Sequence, residues 1–146
     1  MSIASIFLLN KMRINRNKLI DFYSGLCYTK DTERKRRLLS REYRKKVLVI
    51  DLDPQLNTSR QMGVYTPGGL CVAHLLVDKT LEAHAVIKHS PVYEGIDVIP
   101  CDKALEAANM QVLMETSTMQ QLRLKRSLKP IQADYDYCIL DCPTAI

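Results

Sequence analysis

The chain has 146 residues, 47% of them hydrophobic, which is enough for one domain with a core and excludes a disordered chain, a collagen-like repeat or a peptide hormone. Aromatic residues make up only 6%, there is no Trp, and the net charge is +5 with 25% charged residues, a balance that suits an aliphatic-cored α/β protein better than an all-β sandwich. No apolar run reaches the roughly 18 residues a bilayer span needs.

The first apolar stretch, Ile3 to Leu9, is too short to cross a membrane. Lys11, Arg13 and Arg16 follow it, whereas a secretory signal carries its positive charge in front, so the expected location is cytoplasmic. Residues 11 to 46 then hold 13 Lys/Arg against 4 Asp/Glu, a net of +9, while residues 47 to 146 hold 8 against 12, a net of −4. The densest stretch, residues 33 to 44, has the pattern of a helix with Leu38, Leu39 and Tyr43 near one stripe. Its cluster Arg34, Lys35, Arg36 and Arg37 can be read as a contact for DNA phosphates or as a solvated helix face.

From Lys46 the pattern becomes regular. Val47 to Ile50 is a continuous apolar run ending in Asp51, as a parallel strand buried on both faces requires. Thr66-Pro-Gly-Gly69 is a turn; helices are expected over about Leu70 to Val77 and Leu81 to His89, and a short strand over Ile96 to Pro100, closed by the proline. Two further helical patterns, about Lys103 to Glu115 and Thr118 to Leu128, precede the apolar strand Tyr137 to Leu140, which ends in Asp141-Cys142-Pro143. Strands alternating with helices imply βαβ units: an α/β fold with a mostly parallel sheet flanked by helices.

Cys27, Cys71, Cys101, Cys138 and Cys142 are widely spaced and form no C-x-x-C pair, so they are expected to be reduced, mostly buried thiols. His74, His84 and His89 have neither metal-pair nor nucleophile–base spacing. Met110, Met114 and Met119 are expected in the core, and Tyr135 and Tyr137 at the entrance of the last strand.

The chemistry-bearing feature is a pair of strands that each end in aspartate: Asp51-Leu-Asp53-Pro54-Gln55 and Asp141-Cys142-Pro143. Carboxylates at strand carboxyl ends lie where open α/β sheets bind ligands, and they are suited to Mg²⁺, directly or through water. Here the residues resemble a family. Lys45 to Ser59 resembles the deviant Walker A′ segment of the ParA/Soj/MinD partition ATPases. The likeness runs through Gly95 to Pro100 and Leu122 to Ile131, and ends at Asp134 to Pro143, which resembles the Walker B strand.

The resemblance covers about residues 38 to 146 and implies a partial ATPase domain of P-loop, three-layer type, behind a basic and atypical segment 1 to 37. It implies ATP and Mg²⁺ as cofactors, a dimer with itself or with a full-length relative, nonspecific DNA binding, nucleoid association when active, and a ParB-like stimulating partner. By position, Asp53 would orient or activate the attacking water, Asp51 would support the magnesium shell, and Asp141 would hold Mg²⁺ through water. Pro54, Gln55 and Asn57 would belong to a first switch segment, and Cys142 and Pro143 would open a second.

Two departures bear on activity. The family's K-G-G-x-x-K-T-T loop, whose amides cradle phosphates, has no counterpart: residues 1 to 45 contain one glycine, Gly25, in a context that lacks the Lys-Ser/Thr pair. The chain also ends at Ile146, shortly after Asp141. A truncated copy with little or no ATPase activity of its own is therefore expected, and strands ending in Asp51 and Asp141 are expected to leave an apolar sheet edge that favours self-association. The alternative is a nucleotide-independent module that binds DNA or a partner through residues 11 to 46.

Overall fold

The computed structural model describes residues 5–7, 45–115 and 120–142. The elements, in chain order, are β1 (Ser5–Phe7), β2 (Val47–Asp51), α1 (Asn57–Gln61), α2 (Val72–Val77), a 3₁₀ turn (Ala83–Ala85), β3 (Lys88–His89), β4 (Ile96–Ile99), α3 (Ala104–Met114), α4 (Gln120–Leu128), a second 3₁₀ stretch (Lys129–Asp134) and β5 (Tyr137–Cys142). They build one sheet in the order β1-β5-β2-β4-β3. The central strands β5, β2 and β4 are parallel, while β1 and β3 lie antiparallel at the two edges. The expected mostly parallel α/β sheet is therefore present. The strands ending in Asp51 and Asp141 are interior, between β4 and β1, so they do not supply the open apolar edge the sequence suggested.

Every residue of β2 is buried, because alternate side chains feed two cores. Leu48 and Ile50 join Leu140, Ile99 and the helices α2, α3 and α4 on one face. Val47 and Val49 join Ile96, Val98 and Ile139 on the other, where Met62, Val64 and Tyr93 pack against them. Truncating one such buried aliphatic residue to Ala costs about 2–5 kcal/mol, since the rigid strands collapse only partly into the cavity.

Three readings of the sequence are corrected. The segment Leu81 to His89 forms a single 3₁₀ turn followed by β3 rather than a helix. Lys88 and His89 pair with Val98 and Asp97 on the sheet edge, and the Ser90 amide donates to the Ile96 carbonyl at 3.0 Å. Met110 and Met114 are 60% and 80% exposed instead of in the core. The stripe of α3 that meets the core is Leu105, Ala108 and Val112, and helical geometry turns both methionines to the opposite side. Helix α2 starts at Val72, not Leu70, because Cys71 takes the N-cap position. Met119, Cys27 and the basic cluster at 34–37 lie outside the described residues.

The histidines and tyrosines are occupied structurally. His74 Nδ1 lies 3.2 Å from the Cys71 amide at the start of α2, and His84 Nε2 lies 3.2 Å from Asp134 Oδ2. Tyr137 opens β5 and packs on the second core, while Tyr135 packs on the first. Among the described residues, no helix is long and apolar enough to cross a membrane.

Candidate functional site

The parallel register sets Asp51 directly opposite Asp141 at the carboxyl ends of β2 and β5. The ladder continues one step further, with the Leu52 amide donating to the Asp141 carbonyl at 2.8 Å. Asp51 and Asp141 are 0% and 1% exposed, so two carboxylates are withdrawn from water side by side. Such a placement costs several kcal/mol per ion unless donors or cations meet the charge.

Donors do meet Asp51. Its Oδ1 accepts the Asp53 amide at 3.0 Å, and its Oδ2 accepts both the Ser59 amide at 2.8 Å and the Ser59 hydroxyl at 2.6 Å. Burial pushes the Asp51 pKa above its ordinary value, against the lowering pull of Ser59 and Asp53. Asp141 Oδ2 accepts the Thr58 hydroxyl. Asp53 is also buried, and its Oδ1 accepts the Gln55 amide at 2.9 Å, closing an Asx turn.

The intervening segment is built to deliver Thr58 and Ser59 to these carboxylates. The Leu56 amide donates to the Asp53 carbonyl, and Leu56 itself, buried and non-glycine, sits at φ 64 in the left-handed region. That conformation costs about 1–2 kcal/mol and persists only where surrounding contacts impose it. It starts α1, a helix of five residues whose C-cap is Met62 and which is followed by Gly63 at φ +70. Within α1, Thr58 and Ser59 face inward while Asn57 and Arg60 face solvent. Ser59 also ties in the third parallel strand, since the Cys101 amide just after β4 donates to its Oγ at 2.8 Å.

The sequence-derived residues therefore divide. Asp51, Asp53 and Asp141 converge at the carboxyl edge. Pro54 is half-buried beside them, whereas Gln55 and Asn57 are exposed and joined to each other through Asn57 Nδ2 and Gln55 Oε1 at 3.3 Å. Cys142 is half-buried, with its thiol pushed up to about 11 by burial and then by Asp141, so it stays protonated near neutral pH. Pro143 and Arg34, Lys35, Arg36 and Arg37 lie outside the described residues. Cys71, Cys101, Cys138 and Cys142 are free thiols, as expected. The sequence does not single out Thr58 and Ser59; their one signal there is a hydroxyl pair just after an aspartate-rich turn, which is weak by itself.

The donor set suits a hard cation. Among the described residues no three His, Cys, Asp or Glu side chains close into a metal cage. One or two carboxylates at a sheet edge, with a hydroxyl beside them, is nonetheless the protein share from which Mg²⁺ is bound together with phosphates and water. Oxygen donors only, and no soft ligand within their hydrogen-bonded set, fit Mg²⁺ better than zinc.

The chain is similar to known proteins over most of its length. Residues 37–146 match the AAA domain family. The sporulation initiation inhibitor protein Soj of Bacillus subtilis is 36% identical over 103 residues, covering 70% of this chain and 39% of Soj. Cobyrinic acid a,c-diamide synthase of Mycobacterium smegmatis superposes with a TM-score of 0.65 at 29% identity, over 77% of this chain and 44% of that one. The same enzyme is known with a bound ATP analog and magnesium. McdA of Cyanothece superposes with a TM-score of 0.64 at 33% identity, over 74% of this chain and 41% of McdA. The chain thus spans about two fifths of the length of these relatives. With Asp51 and Asp141 in register at the carboxyl edge of a parallel sheet, and with residues 37–146 matched throughout, the chain belongs to the AAA domain family and is a ParA/Soj-type member of it.

Proposed function

We propose that this chain carries the magnesium-side carboxylates of a ParA/Soj-type ATPase that segregates plasmid or chromosomal DNA. The observation that carries the reading is the juxtaposition of Asp51 and Asp141 by strand register, with Asp53 on the loop between them. In this reading Asp141 would hold Mg²⁺, directly or through water, and Asp53 would orient the water that attacks the terminal phosphate. Mg²⁺, when bound, would neutralise charge developing on the transferred phosphoryl group. Asp51 organises the Asp53 turn and α1 through three accepted hydrogen bonds and supports the magnesium shell through them. Pro54, Gln55 and Asn57 form the first switch segment, while Cys142 and Pro143 open the second. Nonspecific DNA, a ParB-like stimulating protein, and a dimer with itself or a full-length relative are the partners this function calls for.

The sequence holds no glycine-rich loop with a Lys-Ser/Thr pair. A triphosphate facing these carboxylates without a nest of amides and cations is repelled. The chain alone therefore turns over little or no ATP. A titration with Mg·ATP, followed with a fluorescent analogue and by phosphate release, tests this with Asp53→Ala and Asp141→Ala as controls. The expected result is neither saturable binding nor hydrolysis at millimolar nucleotide. Binding weakened by Asp141→Ala would overturn the inactivity and support nucleotide at this edge; binding indifferent to Asp141→Ala would overturn the assignment of the edge itself.

A further inference from the structure

Two neighbouring hydroxyl residues tie α1 to the sheet, and they are tied differently. Ser59 is fixed by backbone and side chain alike. Its amide and Oγ donate to Asp51, its Oγ accepts from the Cys101 amide, and its carbonyl accepts the amides of Val64 and Tyr65 at 3.0 and 3.1 Å. Thr58, whose carbonyl accepts the Met62 amide at 2.9 Å, also reaches across to β5 through its hydroxyl, which donates to Asp141 Oδ2. We propose that Thr58 is a latch, a positioning residue whose hydroxyl holds Asp141 in the cation-free chain and lets go when a divalent cation takes that carboxylate, freeing the Asp53–Gln61 segment to pivot about Ser59.

The inference rests on the reading that Asp141 faces the cation. A hydroxyl proton and a metal ion or its bound water use the same lone-pair directions of a carboxylate oxygen, so a cation that takes Asp141 Oδ2 from the side of α1 displaces the Thr58 hydrogen bond. The segment itself is suited to move. It is a helix of five residues, its entry residue Leu56 is held in the left-handed region, and Gln55 and Asn57 on its outer side are exposed. Backbone held in a sparsely populated region is characteristic of segments that switch. Asp53 belongs to this segment through its turn with Gln55 and Leu56. Release of Thr58 would let the Asp53 side chain shift as the cation arrives, while its amide stays on Asp51 Oδ1.

The test uses Mn²⁺ as the probe, without nucleotide, titrated into the full chain and read from the loss of the free-ion electron paramagnetic resonance signal. Thr58→Val keeps the branched shape and removes the donor, and it is expected to bind Mn²⁺ on the order of tenfold more tightly than wild type. Thr58→Ser keeps the donor and should match wild type, while Asp141→Ala should lose binding. Amide hydrogen exchange across residues 53–61 should accelerate in wild type at saturating Mn²⁺ and be fast in Thr58→Val with or without the ion.

Equal or weaker binding by Thr58→Val, binding that survives Asp141→Ala, or no binding by either chain at millimolar Mn²⁺ would overturn the latch. Should Thr58→Val fail to fold, exchange in the wild-type chain decides alone, and protection unchanged by the ion overturns it. A latch that behaves as expected, in a chain whose Mg·ATP binding is indifferent to Asp141→Ala, would leave the cation chemistry standing and reject the assignment of this edge to nucleotide; the reverse pattern would reject only the latch.

Discussion

Opposite ends of the same three parallel strands treat an aspartate in opposite ways. At the carboxyl end, Asp51 and Asp141 are buried side by side and are met by an amide and hydroxyl pair from α1. Toward the amino end, Asp97 of β4 accepts the Tyr135 hydroxyl at Oδ2, 2.7 Å away, and pairs with His89 at Oδ1. It faces an open groove of about 460 Å³ lined also by Lys46, Tyr93 and Glu94. Water reaches that carboxylate, so its partners share the work of solvation with solvent. At the other end the protein alone must do it, and only an internal donor network or a cation can. The difference accounts for a hydroxyl dipeptide that meets the buried carboxylates at one end, and a histidine and a tyrosine that share solvation with water at the other.

The comparison can be broken most directly by removing the carboxylates. Asp51→Ala strands the amides of Asp53 and Ser59 and the Ser59 hydroxyl in a dry site, and is expected to cost about 3–5 kcal/mol in urea denaturation. Asp97→Ala, by contrast, should cost about 1 kcal/mol. Near-equal losses would mean that the two ends are solvated alike.

A smaller effect comes from Tyr135. Burial, and next the hydrogen bond to Asp97, hold its phenol above the ordinary value of 10.0. The folded chain therefore keeps this proton longer than the unfolded chain does. The stabilisation is complete below about pH 10 and is lost as pH rises through the folded value. Tyr135→Phe should cost about 1 kcal/mol at neutral pH, and its deficit relative to wild type should shrink in alkaline solution, as denaturation at paired pH values would record. A deficit that grows with pH would refute this account of Tyr135.

The smallest effect is expected at His89, whose side chain is 90% exposed. His89→Ala should shift stability by no more than about 0.5 kcal/mol, because an exposed pair gains little over hydration. A loss several times larger in the same denaturation assay would show that the amino-end groove is drier than its geometry implies.

Much of this architecture is legible along the chain. Val47 to Ile50 and Tyr137 to Leu140 are short apolar runs stopped by an Asp, Ile96 to Ile99 is a short stretch stopped by Pro100, and each is a strand close to its expected bounds. What misled was local pattern without context. The stretch from Leu81 to His89 has helical spacing, but its last residues gain more by pairing with β4 than by completing a helix too short to be stable alone. The methionines of α3 look like core residues by type, yet only three positions of that helix turn toward the sheet. Thr58 and Ser59 carry no signature of their own; their importance comes from where α1 lands.

By itself, then, the sequence determined the strand-end aspartates, the family they point to, the uneven charge and the lack of a glycine-rich phosphate loop, because each of these is written in residue type and short-range spacing. The tertiary structure alone decided which oxygens answer which donors. Asp51 meets Asp141 through a β2–β5 register that joins residues 90 positions apart, and Thr58 meets Asp141 across 83. Contacts of that range are fixed by packing two cores on one sheet, and no local pattern specifies them.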